Sequence, residues 1–364
     1  MSFILVVPVL LGLISCKNDL QLNAPYKEIP SVYAVLNPFE PIQVIRVNKV
    51  FLGEGDANVM AKVADSINYQ PGELLINLRR FVDGTQVSAS PQNTSDTVIT
   101  FRDSMVTATP GAFNTNQRVY VSSKKLFTDG VYKLTIRNVI SGAVFTSTAS
   151  ALDRVYADLQ PLVAPFFEYP QNTPPELYID YSSTTSKYPY EVKHRAEKRF
   201  GQIYQLILRM HLYDTVGGQR TEQAVDYLVG TKTLRDVQVL SGINYVSHTF
   251  TGGGIFSVVG NAVSKMNQNI YGRKMYMVEY FIYSSSQEYQ DYMEYVKPSL
   301  SITQNKPLYS NFQNAAALGL FTFRTTLNVK KNLASVYISS FSNNPSTCNY
   351  RFVTSDGKTI RGCK

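Results

Sequence analysis

Short runs in which apolar and polar residues alternate, separated by turn residues, recur along most of this chain, and that pattern restricts it to sheets more than any other feature does. In Leu74-Leu75-Ile76-Asn77-Leu78-Arg79, Leu74, Ile76 and Leu78 alternate with Asn77 and Arg79, as in a strand with one buried face. Equivalent runs cover Val32 to Leu36, Ile42 to Phe51, Thr97 to Phe101, Val131 to Arg137 and Ala143 to Thr148. Val82-Asp83-Gly84-Thr85 reads as a hairpin turn, and Ser141-Gly142 joins the last two runs. About seven short strands in roughly 120 residues fit an immunoglobulin-like or transthyretin-like sandwich. A helical turn is expected around Ala57 to Ala64, inside an insertion.

The alternation resumes after a proline cluster, Pro161, Pro165, Pro170, Pro174 and Pro175, which suits neither a strand interior nor a helix. Ile203 to Tyr213 sets Tyr204, Leu206, Leu208, Met210 and Leu212 against Gln205, Arg209 and His211. His211 is thereby placed on the wet face as a surface residue. Met275 to Tyr283 is a further, aromatic-rich strand. One helix is expected over 286–297, with Ser285 and Glu288 as its capping box, Tyr289, Tyr292, Met293 and Val296 as a core-facing stripe, and Pro298 as its stop. Thr221 to Val229 is expected as a second, shorter helix, and Thr251-Gly252-Gly253-Gly254 as a flexible turn. The fold class is therefore mainly β: an N-terminal sandwich followed by a larger β domain with one or two short covering helices.

Residues 3–15 form an uncharged apolar run, FILVVPVLLGLIS, too short to span a bilayer but of the length of a signal-peptide core. It ends in Leu13-Ile14-Ser15-Cys16, which looks like a bacterial lipobox: Leu13, Ile14 and Ser15 would be read by the signal peptidase, and the Cys16 thiol would take the lipid. Met1-Ser2 departs from the usual pattern by carrying no Lys or Arg. Each buried methylene contributes about 0.8 kcal/mol, so two or three acyl chains would hold the protein in the membrane. The expected organisation is a signal peptide over 1–15, an anchor and tether over 16–26, a sandwich over 27–152, a proline-rich connection over 153–175 and a mainly β domain over 176–364.

Beyond the anchor only Cys348 and Cys363 remain, in a chain expected to be exported, and a disulfide between them is favoured over a metal site. The three histidines, His194, His211 and His248, lie far apart in sequence, so neither a metal nor a cofactor is expected. The chain carries a net charge of +8, and its two basic segments are 187–199, with five Lys or Arg and two Glu, and 351–364, with four Lys or Arg and one Asp. Lys193, Arg195, Lys198 and Arg199 form a candidate patch for anionic lipopolysaccharide phosphates, against the alternative of a solvated loop. Neither segment has the basic and aromatic interleaving of a nucleic-acid reader, so no nucleic-acid partner is expected.

Gly201-Gln202-Ile203-Tyr204-Gln205-Leu206, the Tyr289-to-Val296 helix, the stretch Pro307 to Asn314 and Leu318-Gly319-Leu320-Phe321-Thr322 together resemble a family of Bacteroidetes outer-membrane lipoproteins of unknown function. In that family a helix starting with Tyr precedes a loop Asn, here Asn311, and a Gly-hydrophobic-Phe-Ser strand, in which Thr322 stands for the Ser. The resemblance implies an N-terminal immunoglobulin-like sandwich, a lipid anchor in the outer membrane with the protein at the cell surface, and a TonB-dependent receptor as partner. Lys17-Asn18-Asp19 partly matches the surface-export signal of such lipoproteins. The resemblance carries over no catalytic residues.

Motifs that carry chemistry fail on spacing. The three glycines at 252–254 lack the G-x-G-x-x-G pattern, Ser122-Ser123-Lys124-Lys125 matches an acylating S-x-x-K by letters alone, and Glu54 and Asp56 are out of register for a calcium loop. The leading expectation is a non-enzymatic surface lipoprotein that binds or assembles with an outer-membrane receptor or transporter. The alternatives are a glycan- or nutrient-binding protein, against which the absence of Trp counts, and a hydrolase with no linear motif.

Overall fold

The computed structural model describes residues 29–50, 67–87, 98–106, 117–155, 178–179, 182, 190–296, 309–313, 317–358 and 363. The segments expected at 1–26, the helical turn at 57–64, Glu54, Asp56 and the proline cluster lie outside them. The first half supplies strands β1 (Pro30–Leu36), β2 (Gln43–Lys49), β3 (Leu74–Val82), β4 (Thr85–Val87), β5 (Ile99–Val106), β6 (Gln117–Ser122), β7 (Val131–Asn138) and β8 (Val144–Ser150). The second supplies β9 (Tyr178–Ile179), β10 (Tyr190–Arg195), β11 (Ile203–Val216), β12 (Gln219–Thr233), β13 (Gln238–Leu240), β14 (Ile243–Phe250), α1 (Gly252–Val263), β15 (Gly272–Ser285), α2 (Gln287–Val296), β16 (Leu318–Leu333) and α3 (Ser335–Asn343). The protein is mainly β, as the alternation requires.

One sheet of 13 strands runs β12-β11-β15-β16-β1-β2-β6-β5-β3-β7-β8, with β4 beside β3 and β9 beside β16; a second sheet of three runs β10-β14-β13. The junction between the two halves is the parallel pair β1 and β16. Strand β16 therefore belongs to both. Its first turns send Phe321 and Phe323 into a sandwich-like core with Val32, Leu36, Ile45, Ile76, Leu134 and Phe145. Its far end adds Leu333 to a second core with Leu206, Leu208, Met210, Val278 and Ile282. The sandwich anticipated from 27–152 is completed by residues nearly two hundred positions downstream.

Gly319 explains how β1 and β16 come together. Its φ is +108° and a Cβ there would lie 1.9 Å from the Val32 carbonyl oxygen, so only glycine permits the approach. Asn311 acts alongside it: its Nδ2 donates to the Phe321 carbonyl at 2.7 Å and its Oδ1 accepts from the Phe321 N–H at 2.9 Å, so the side chain takes the place of a strand edge. Phe312 then enters the first core, and the Asn311 carbonyl accepts from Ser147 Oγ at 2.8 Å, tying this segment to β8.

Three expectations are corrected. Residues 221–229 are not a helix but part of β12, because Val225, Tyr227 and Val229 alternate against the second core and Gly217-Gly218, with φ of 55° and 81°, turns the chain back onto β11. Thr251 to Gly254 is not a flexible turn: the Thr251 hydroxyl accepts from the Gly254 N–H at 3.1 Å and caps α1. Burial of Ile255, Phe256, Val259 and Val263 outweighs the cost of about 1 kcal/mol per glycine in that first turn. Ser285 is not a cap; it is the last residue of β15, paired with Arg324, and α2 begins at Gln287. Three helices are present among the described residues: α1 and α3 cover the inner face of the β11 and β15 sheet, as the expected covering helices should, and α2 buries no residue.

Candidate binding face

The inner face of the β12-β11-β15-β16 sheet is buried, so alternation sends every second residue outward. Leu206, Leu208, Met210 and Leu212 are fully buried, and Arg209, His211 and Tyr213 between them stand on the opposite face. Register carries that face across the sheet: Arg209 lies beside Asp226 on β12 and Glu279 on β15, and Glu279 lies beside Lys330 on β16.

Outward groups on this face pair with one another. Arg209 grips Asp226 in a fork, at 2.7 and 2.8 Å, while its guanidinium sits 4.9 Å from the Phe281 ring. Glu279 accepts from His211 Nε2 at 2.8 Å and from Asn328 Nδ2 at 2.6 Å. Burial opposes the charge on Glu279, but these two hydrogen bonds together with the charge of Lys330, 3.8 Å away, outweigh it and hold its carboxyl below the ordinary range. His211, expected as a plain surface residue, is half-buried in this contact. The Tyr276 hydroxyl donates to Glu222 at 2.8 Å, and burial together with that bond pushes it up to about 12.

Toward α2 the face becomes aromatic. Phe281 and Tyr283 stack at 5.8 Å, and Arg324 lies 3.8 Å from the Tyr283 ring and 5.4 Å from that of Tyr289, whose hydroxyl accepts from Arg324 Nη1. Tyr292 meets Tyr33 at 5.7 Å and Tyr309 at 5.8 Å, and Tyr295 meets Tyr309 at 5.5 Å. The stripe expected to face a core does not do so: no residue of α2 is buried, and Met293, Tyr295 and Val296 are exposed. The helix rests on the outer face of the sheet, fixed by the contact of Ser286 Oγ with Thr322 Oγ1 at 2.6 Å. Tyr33 itself is 39% exposed although it sits in mid-sheet. Burial of its hydroxyl and the neighbouring Tyr289 push it up to about 12, so the Tyr33 hydroxyl keeps its proton at physiological pH.

The anion patch expected at Lys193, Arg195, Lys198 and Arg199 does not assemble as one. Lys193 pairs with Glu191 at 3.0 Å and Arg199 with Glu197 at 2.9 Å, while Arg195 has its Nε buried. Lys198 and Arg199 line a cavity of about 600 Å³ whose walls also carry Asp129, Asp153 and Glu288, a mixed rather than cationic lining. Cys348 and Cys363 are joined as a disulfide, with Cα atoms 5.1 Å apart. Leu13, Ile14, Ser15 and Cys16 are outside the described residues.

Two arrangements were hidden from the sequence. Adjacent β10 and β14 bring His194 and His248 together with Nε2 atoms 3.4 Å apart, both fully buried. The Arg195 carbonyl accepts from His194 Nδ1, so His194 Nε2 is bare and accepts from His248, leaving His248 Nδ1 buried with no hydrogen bond. No group of three or more His, Cys, Asp or Glu suited to a metal occurs among the described residues. The second is a cavity of about 420 Å³ at the far end of β11, lined by Tyr213, Arg220, Tyr271, Lys274, Ser355 and Asp356 among others. Comparison of the chain with known protein families, with curated proteins and with solved structures finds no match.

Proposed function

We propose that the protein is a lipid-tethered lipoprotein of the outer membrane, facing the cell surface, that acts without catalysis as a binding partner of an outer-membrane receptor or transporter. The observation that carries this reading is the outward cluster of Tyr33, Tyr289, Tyr292, Tyr295 and Tyr309 with Arg324, placed on β1, β16, α2 and the segment 309–313. Tyrosine and arginine are the residues that most often anchor protein interfaces, because each offers a large contact area with a polar end. The tether comes from Cys16 and the type of partner from the family resemblance. The Asn311 and Gly319 features of that resemblance support the reading indirectly: both serve to build the platform under the cluster.

Site-specific photo-crosslinking tests this. A crosslinker in place of exposed Met293, on α2, is expected to capture an outer-membrane barrel from native membranes, while one in place of Ile140, 76% exposed in the turn between β7 and β8, is not. Equal capture from both positions, or from neither, would contradict the proposal. Cys16→Ala is expected to leave an unlipidated protein that no longer pellets with membranes after carbonate washing.

A further inference from the structure

The cavity at the opposite end of the outer face has a composition that the docking role does not use. Ten residues of β11 separate Gln205, beside Tyr283, from Thr215 on the cavity wall, roughly 33 Å of strand. Its floor is fixed: Arg273 is fully buried and forks onto Asp214 at 2.6 and 2.9 Å, which neutralises both. One wall is the segment 353–357, held to β15 by the Val353 N–H to the Arg273 carbonyl and the Arg273 N–H to that of Arg351, both 2.9 Å. The Cys348–Cys363 disulfide brackets that wall.

Two cations on the cavity wall form no ion pair among the described residues. Asp356 is paired with Lys358 at 3.3 Å, so of the charged groups lining the cavity only Arg220 and Lys274 have no carboxylate partner among the described residues. They flank Tyr213: Lys274 is its cross-strand neighbour on β15, and the Arg220 guanidinium lies 4.6 Å from its ring. Glu222, Tyr213's neighbour on β12, keeps its charge while accepting from the Tyr276 hydroxyl, and it neither lines the cavity nor forms an ion pair with Arg220 or Lys274. Lys274 donates one hydrogen bond to the Ser355 carbonyl at 3.3 Å, leaving two of its three donors for a ligand. Tyr271, 74% exposed on the cavity rim, offers a ring face with no aromatic or cationic contact among the described residues; Thr215 adds a hydroxyl, and the Ser355 hydroxyl, which accepts from Ser339 Oγ at 3.3 Å, keeps its proton to donate.

From these we infer that the cavity is a binding site for an anionic sugar, a hexose carrying a phosphate or a carboxylate. The acid group lies between Arg220 and Lys274, the hydroxyls of the sugar meet Thr215 and Ser355, and the C–H face of the ring packs on Tyr271. Mostly polar walls disfavour an apolar ligand, and the volume, within the range of small-molecule pockets, exceeds the needs of a bare anion. The site stands independently of the docking role.

Calorimetric titration of the detergent-solubilised lipoprotein with glucose 6-phosphate, glucuronate, glucose and inorganic phosphate tests the inference. At least one of the two anionic sugars is expected to bind with a Kd of about 1 mM or tighter, and about tenfold tighter than glucose or phosphate. The two sugar acids distinguish a phosphate from a carboxylate ligand. Arg220→Ala and Lys274→Ala are each expected to weaken that binding about tenfold, and Tyr271→Ala to weaken it toward the level of the bare anion. Each variant is compared at an unchanged thermal midpoint, and Arg220→Lys, which keeps the charge, is expected to restore part of the affinity. The inference is overturned if neither sugar acid binds with a Kd of about 1 mM or tighter, if glucose or phosphate binds as tightly, or if affinity survives both alanine substitutions.

Discussion

At the scale of single residues, the buried histidine pair has the clearest solution consequence. Burial pushes His194 down to about 4, and burial together with the charge of His194 and of Lys232, against an opposing effect of Asp236, pushes His248 down to about 3. An unfolded chain takes up these protons near the ordinary histidine value of about 6.5 and the folded one does not. Stability is therefore full above about pH 6.5 and falls as the pH drops toward 4 and 3, with each histidine contributing up to about 1.4 kcal/mol per pH unit. Urea unfolding at a series of pH values is expected to show this slope, and His248→Leu, which removes one titrating group and an unbonded buried nitrogen, is expected to roughly halve it between pH 6.5 and 5. A different residue, Arg273, is buried against Asp214; Arg273→Leu leaves a bare buried carboxylate and is expected to cost about 3–5 kcal/mol in the same measurement at pH 7. Neither pair was visible in the sequence, since His194 and His248 lie 54 positions apart and Asp214 and Arg273 59 positions apart. Only strand pairing makes them neighbours.

At the scale of elements, legibility followed the range of the interactions. Strands such as those expected at Glu73 to Phe81 and Ile203 to Tyr213 were readable because alternation is local and their inner faces meet a core. The segment 221–229 departs from its expected helix because Val225, Tyr227 and Val229 follow a period of two that depends on pairing with β11, a strand outside the segment's own local pattern. For α2 the period of Tyr289, Tyr292, Met293 and Val296 was correct and the inference from it was not: an aromatic stripe at helical spacing here faces other exposed tyrosines rather than a core. The Gly319 and Asn311 pair belongs to this scale as well, since it joins β16 to β1. Gly319→Ala is expected to destabilise by at least about 2 kcal/mol through the clash with the Val32 carbonyl and the positive φ, and Asn311→Ala by about 1–3 kcal/mol through the two lost backbone partners. Thermal and urea denaturation would measure both.

At the scale of the whole molecule, one long strand serves two cores, so the halves on either side of the proline cluster are expected to unfold together. Phe323→Ala, in the first core, is expected to lower stability by about 3–5 kcal/mol and to shift near-ultraviolet and far-ultraviolet circular dichroism to the same new midpoint. The same architecture sets the outer face of the sheet as a platform, aromatic around α2 and carrying two cations at the far end of β11. Length, composition and the Cys16 motif pointed to an exported, tethered β protein; the platform itself required residues from 33 to 324 to be brought together. The most direct test of the docking role is quantitative recovery of outer-membrane barrels with the tagged, lipidated protein from native membranes, comparing it with a folded Tyr292→Ala/Arg324→Ala variant. The expected result is a barrel receptor recovered with the native protein and reduced about tenfold with the variant. Undiminished recovery with the variant, or recovery of no barrel by the native protein, would contradict it.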